Sequence, residues 1–130
     1  MDRDELASIL GARLSREPGV AAAWLFGSAA RGEERPDSDV DVAVLFDRER
    51  PLDALLDLEA ALGAELGRDV DLVDARGAPP DLVHRILRDG VLVVDEDPSA
   101  RIAFEVDVRN RYFDMRPIWL LYRRARGAGA

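Results

Sequence analysis

The sequence predicts an α/β (α+β) chain, with a small mixed β-sheet flanked by helices and a helical tail at the C-terminus. Three observations carry this. Short continuous apolar runs alternate with segments of helical spacing, the pattern of a sheet covered by helices. The runs Val40 to Phe46 and Val70 to Val73 are separated by a helical segment of about four turns, enough for a right-handed crossover between parallel strands. The runs Val20 to Phe26 and Val40 to Phe46 are joined by about a dozen turn-rich residues, so they are most simply antiparallel neighbours.

Each element follows from its own residues. Between Glu5 and Leu14, apolar Leu6, Ile9, Leu10 and Leu14 keep helical spacing until Pro18-Gly19 stops it. Val20 to Phe26 is a buried strand closed by Gly27, and "GEERPDS" is a loop with proline and aspartate turn chemistry. Val40 to Phe46 is the second strand. Pro51 suits a first helical turn, and Leu52, Leu55, Leu56, Leu58, Leu62 and Leu66 carry a helix to Gly67. Val70 to Val73 is a third strand, Asp81 to Arg88 a short helix, and Val91 to Val94 a fourth strand. Pro98 opens a long charged helical tail that Pro117 interrupts. The expected organisation is a single domain, with a core over 1–96 and a helical extension over 97–130 that packs on the core or on a partner.

Composition removes several classes of function. The chain has 130 residues, about half apolar and a third charged, the balance of a soluble globular protein. It has no run of apolar residues long enough for a membrane span, and its first residues are acidic where a signal peptide is basic. No membrane partner and a cytoplasmic location are expected. There is no cysteine and only one histidine, so any metal is held by oxygen. A net charge of −8 argues against direct, sequence-blind binding of nucleic acid. All the basic side chains are arginine, which reads first as coding bias.

One pattern departs from ordinary strand composition. On a strand, Asp39, Asp41, Ala43 and Leu45 share one face, while Val40, Val42, Val44 and Phe46 form the core face. Parallel pairing brings the start of the third strand, with Asp71, beside Asp39 and Asp41. Asp69 and Asp74 stand close by, and a register shift of one residue would bring a different acid to that corner. Two carboxylates about 5 Å apart repel by roughly 3 kcal/mol at an effective dielectric near 20, so such a cluster calls for cations. Oxygen-only ligands suit Mg²⁺, which takes one or two carboxylates and completes its shell with phosphate oxygens. Beside them, Gly27 lets the backbone turn sharply, and Ser28 can start a short helix whose N–H groups face an anion.

Gly27-Ser28-Ala29-Ala30-Arg31-Gly32, followed by Ser38-Asp39-Val40-Asp41, resembles the signature of the nucleotidyltransferase superfamily related to the DNA polymerase β palm. The similarity is greatest to the minimal nucleotidyltransferases, the MNT group of antitoxins that act beside HEPN-domain toxins, and it continues through "DVDLVD", "ILRDGVLVVDEDP" and "RYFDMRP". The resemblance implies a nucleotidyltransferase fold and transfer of AMP from ATP to a tyrosine of a cognate HEPN ribonuclease. Carried over, Gly27 and Ser28 hold the triphosphate, with Arg31 as a phosphate contact or a loop-fixing ion pair. Asp39 and Asp41 bind Mg²⁺, two ions in the family pattern, and Asp71 is the third acid of that metal set, favouring deprotonation of the attacking hydroxyl. The partners it implies are ATP and the HEPN toxin, in a hetero-oligomer. Two alternatives stand beside it: an antitoxin that neutralises by binding alone, and a transferase acting on a small-molecule hydroxyl.

The remaining distinctive residues have plainer readings. Trp24 is core and His84 a surface or half-buried histidine. Tyr112, Trp119 and Tyr122 either pack on the domain or face a partner, and the enrichment of aromatics and arginine at interfaces favours the partner.

Overall fold

The computed structural model describes residues 1–32 and 38–128, with side chains described as far as Phe113. Most of the "GEERPDS" loop, and the side chains of Trp119 and Tyr122, therefore lie outside the described residues. The element order is α1 (Arg3–Ser15), β1 (Val20–Phe26), β2 (Val40–Phe46), α2 (Leu52–Leu66), β3 (Val70–Asp74), α3 (Pro80–Asp89), β4 (Val91–Asp95) and α4 (Pro98–Ala128). Helix α1 starts two residues earlier than its apolar spacing indicates, because the Asp2 carboxylate accepts from the Glu5 N–H and caps it. Pro51 sits at the N-cap of α2 in an extended conformation, and Gly67 ends that helix in the left-handed region at φ 66°.

The four strands form a mixed sheet in the order β3-β2-β1-β4. Strands β2 and β3 are parallel across the α2 crossover, and β1 is antiparallel to both β2 and β4. Two apolar layers sandwich the sheet. On one side Leu6, Leu10 and Leu14 of α1 and Leu58, Leu62 and Leu66 of α2 bury Val40, Val42 and Val44. On the other, Val83 and Ile86 of α3 and Phe104 and Val108 of α4 bury Trp24, Ala43 and Leu45. The face that carries the aspartates thus becomes a second core two residues further along the strand.

Helix α4 continues through Pro117 to Ala128, so the expected interruption does not occur. Proline removes one backbone donor, and in a helix of 31 residues the remaining ladder carries the chain past it. The first half of α4 packs on the domain: Phe104 lies 6.3 Å from Trp24, and Tyr112 stacks on His84 at 3.9 Å with a 6° tilt. Trp24 is buried and His84 half-buried, while Tyr112 is engaged within the chain.

Candidate active site

The site forms where three strand ends meet. Antiparallel pairing sets Phe26, the last residue of β1, opposite Asp41, and parallel pairing sets Asp41 beside Asp71. Adjacent strands lie about 4.8 Å apart and cross-strand partners share a face, so Asp41 and Asp71 project together. The register makes Asp71 the direct neighbour of Asp41; Asp69 precedes β3, and Asp74 pairs with Val44 three residues beyond. Asp39 lies one residue before β2 and is exposed, as is Asp71, whereas Asp41 is half-buried.

Electrostatics tie the group together. Burial raises Asp41 above the ordinary aspartate value, Asp71 and then Asp39 push it further, and Arg31 opposes them. Arg31 also contributes to lowering Asp89, whose largest downward influence is its hydrogen bond from Arg88. The Arg31 guanidinium therefore lies in the field of the acid cluster and of the C-terminal end of α3.

Gly27 joins the loop to the acids. Its φ is 74°, and a Cβ at this position would collide with the Asp41 Oδ2 atom. Only glycine lets the chain turn here while the Asp41 carboxylate rests against the backbone. The expected short helix after Ser28 is a single turn, closed by Arg31 N–H to the Gly27 carbonyl at 3.3 Å and Gly32 N–H to the Ala29 carbonyl at 3.3 Å. Ala29 and Ala30 are buried in the α1 layer and hold this turn down, and Gly32 leaves it in the left-handed region at φ 72°. Ser28 is half-buried within it and Arg31 exposed.

The donor set fits Mg²⁺. Every candidate ligand is a carboxylate, and Asp41 is held beside like charges that a cation would relieve. Among the described residues no three acids or histidines stand close enough to hold a metal ion by themselves. A groove of about 640 Å³ opens beside Asp39, lined also by Glu59, Gly63, Arg68 and Asp69.

Two residues that sequence reasoning passed over approach the same corner from α2 and its exit. Arg68 Nη2 donates to the Ser38 carbonyl at 2.7 Å, and Glu59 Oε2 accepts from the Leu72 N–H at 2.8 Å. One is a helix-end arginine and the other a mid-helix glutamate, and neither spacing marks them.

Residues 10–99 match the family described as Polymerase beta, Nucleotidyltransferase. The chain belongs to the polymerase β nucleotidyltransferase family. The protein adenylyltransferase MntA of Thermococcus cleftensis is 39% identical over 93 residues, covering 69% of this chain and 94% of that protein. A crystal structure of a toxin–antitoxin with AMP-PNP superposes with a TM-score of 0.78 at 24% identity, covering 96% of this chain and 98% of the other. A complex of a tri-AMPylated Shewanella oneidensis HEPN toxin with an MNT antitoxin gives a TM-score of 0.74 at 22% identity, over 95% and 97%. At those identities the two structures speak for the nucleotidyltransferase fold. The family makes the chain a nucleotidyltransferase, and the match takes in Gly27, Ser28, Arg31, Asp39, Asp41 and Asp71. Among the described residues no helix is long and apolar enough to cross a membrane.

Proposed function

We propose that this chain is a Mg²⁺-dependent antitoxin that transfers AMP from ATP to a tyrosine hydroxyl of a HEPN-domain toxin and so neutralises it. The observation that carries this reading is the 39% identity to a protein adenylyltransferase across 94% of that protein's length. The AMPylated HEPN toxin in the complex described above points to the same acceptor class.

The residues divide the work. The Gly27-Ser28 turn and Arg31 receive the triphosphate, the turn by close backbone approach and Arg31 by charge. Asp39 and Asp41 would hold Mg²⁺, which when bound would neutralise charge on the phosphates. The tyrosine oxygen attacks the α-phosphorus, the bond to the bridging oxygen of the β-phosphate breaks, and pyrophosphate leaves with that electron pair. Asp71, exposed beside Asp41, draws the acceptor proton toward the carboxylate corner.

The test combines the chain, ATP, Mg²⁺ and the HEPN toxin and measures the intact mass of the toxin. Adenylyl adducts with loss of toxin activity are expected; an unmodified, active toxin contradicts the reading. Neutralisation by Asp39→Ala/Asp41→Ala protein would instead identify a binding-only antitoxin.

A further inference from the structure

We propose that Arg68 and Glu59 are positioning residues that clamp the two acid-bearing strand ends in register, so that Asp39 and Asp41 hold a divalent ion with Asp71 kept beside it. The inference rests on the nucleotidyltransferase reading of the site. β3 is an edge strand, Asp39 lies just outside β2, and the carboxylates on these two segments repel. The ladder itself supplies the bonds between the strands, among them Val40 N–H to the Asp69 carbonyl at 2.9 Å. The crossover adds one side-chain bond to each acid-bearing segment.

Arg68 grips the backbone immediately before Asp39. Its own backbone is fixed by the end of α2, where its N–H donates to the Gly63 carbonyl at 3.2 Å after the left-handed Gly67. From that anchor the guanidinium reaches the Ser38 carbonyl at 2.7 Å, a part-buried charge-assisted bond spanning thirty residues of sequence. Glu59 acts on the other segment. Leu72 follows Asp71 directly, and its N–H is taken at 2.8 Å by the Glu59 carboxylate, from the middle of α2. On a strand whose successive N–H groups alternate in direction, this bond restrains the residue after Asp71 from the side away from β2. Both grips come from α2 and its exit, and both side chains line the groove that opens at Asp39. Outer partners of this kind commonly orient metal-ligating carboxylates.

The test measures Mn²⁺ binding to the full chain with a non-hydrolysable ATP analogue, by electron paramagnetic resonance and calorimetry. Far-UV circular dichroism and thermal unfolding are followed for each variant. R68M and E59A are expected to weaken Mn²⁺ binding about 10- to 100-fold while remaining folded. R68K, which keeps a cationic donor, and E59Q, which keeps a carbonyl acceptor, are expected to recover most of that loss. Wild-type Mn²⁺ affinity in folded R68M and E59A overturns the clamp alone. If R68M does not fold, the pair E59A and E59Q decides: equal affinities overturn the inference, and a loss that E59Q reverses supports it. Wild-type protein that binds no Mn²⁺ with nucleotide overturns the reading of the site and the clamp with it.

Discussion

The two ends of β2 have nearly the same backbone and opposite surroundings. Toward its C-terminus, Val42 to Leu45 are completely buried, with leucines of α1 and α2 on one face and α3 with α4 on the other. Toward its N-terminus the same outward face reaches Asp41, half-buried, and then Asp39, exposed. Alternation alone therefore does not separate core from site. What separates them is where the covering helices stop, and there the chain spends aspartate on positions that a core would fill with alanine or leucine. A cluster that is costly for folding persists where charge serves a ligand.

That contrast can be broken experimentally, from the site end first. Asp39→Asn is expected to lower the rate of nucleotidyl transfer by about a thousandfold, several kcal/mol of lost electrostatic stabilisation, with little change in thermal midpoint. Single-turnover kinetics beside a melting curve would show it. At the buried end the pattern inverts: Leu45→Ala is expected to cost about 3 kcal/mol in urea unfolding while activity per folded molecule is kept. Gly27→Ala lies between the two. Its left-handed backbone and the Asp41 carboxylate beneath it predict about 2 kcal/mol of destabilisation together with weaker nucleotide binding by calorimetry.

The smallest effect has the most informative sign. Burial, Asp71 and Asp39 raise Asp41, so the folded chain keeps that proton to higher pH than the unfolded chain does. Stability from this group is present at low pH and is lost as pH rises through the raised value. Without divalent ions at neutral pH, Asp41→Asn is therefore expected to stabilise the fold by about 1 kcal/mol, the usual scale of relief at a strained functional site. Urea unfolding at several pH values measures it, and the gain should shrink toward acid.

Much of this layout was legible because it rests on local spacing. The strand runs, the α2 crossover and the antiparallel β1–β2 join follow from apolar periodicity and segment length, and they fix which strand ends meet. The place of β4 beside β1 was not legible, since Val91 to Asp95 would suit either edge of the sheet. Nor was the second core: Ala43 and Leu45 look unremarkable until Phe104 and Val108 arrive from sixty residues away. Gly27 and Asp41 were each visible, but their contact was not, because it depends on the Phe26–Asp41 register. Arg68 and Glu59 act on backbone atoms of other segments, and such bonds leave no pattern in side-chain spacing. Pro117 misled for a related reason, since helix continuity depends on the turns around a proline as well as on the proline.

The central claim is that the Asp41–Asp71 register builds a divalent-ion site shared with nucleotide phosphates. Its most direct test is a crystal grown with Mn²⁺ and a non-hydrolysable ATP analogue, with anomalous diffraction used to locate the metal. The account predicts a manganese peak bridging the Asp39 and Asp41 carboxylates and the phosphates, with Asp71 beside it. Nucleotide bound elsewhere, or bound here with no metal between it and those aspartates, would contradict it.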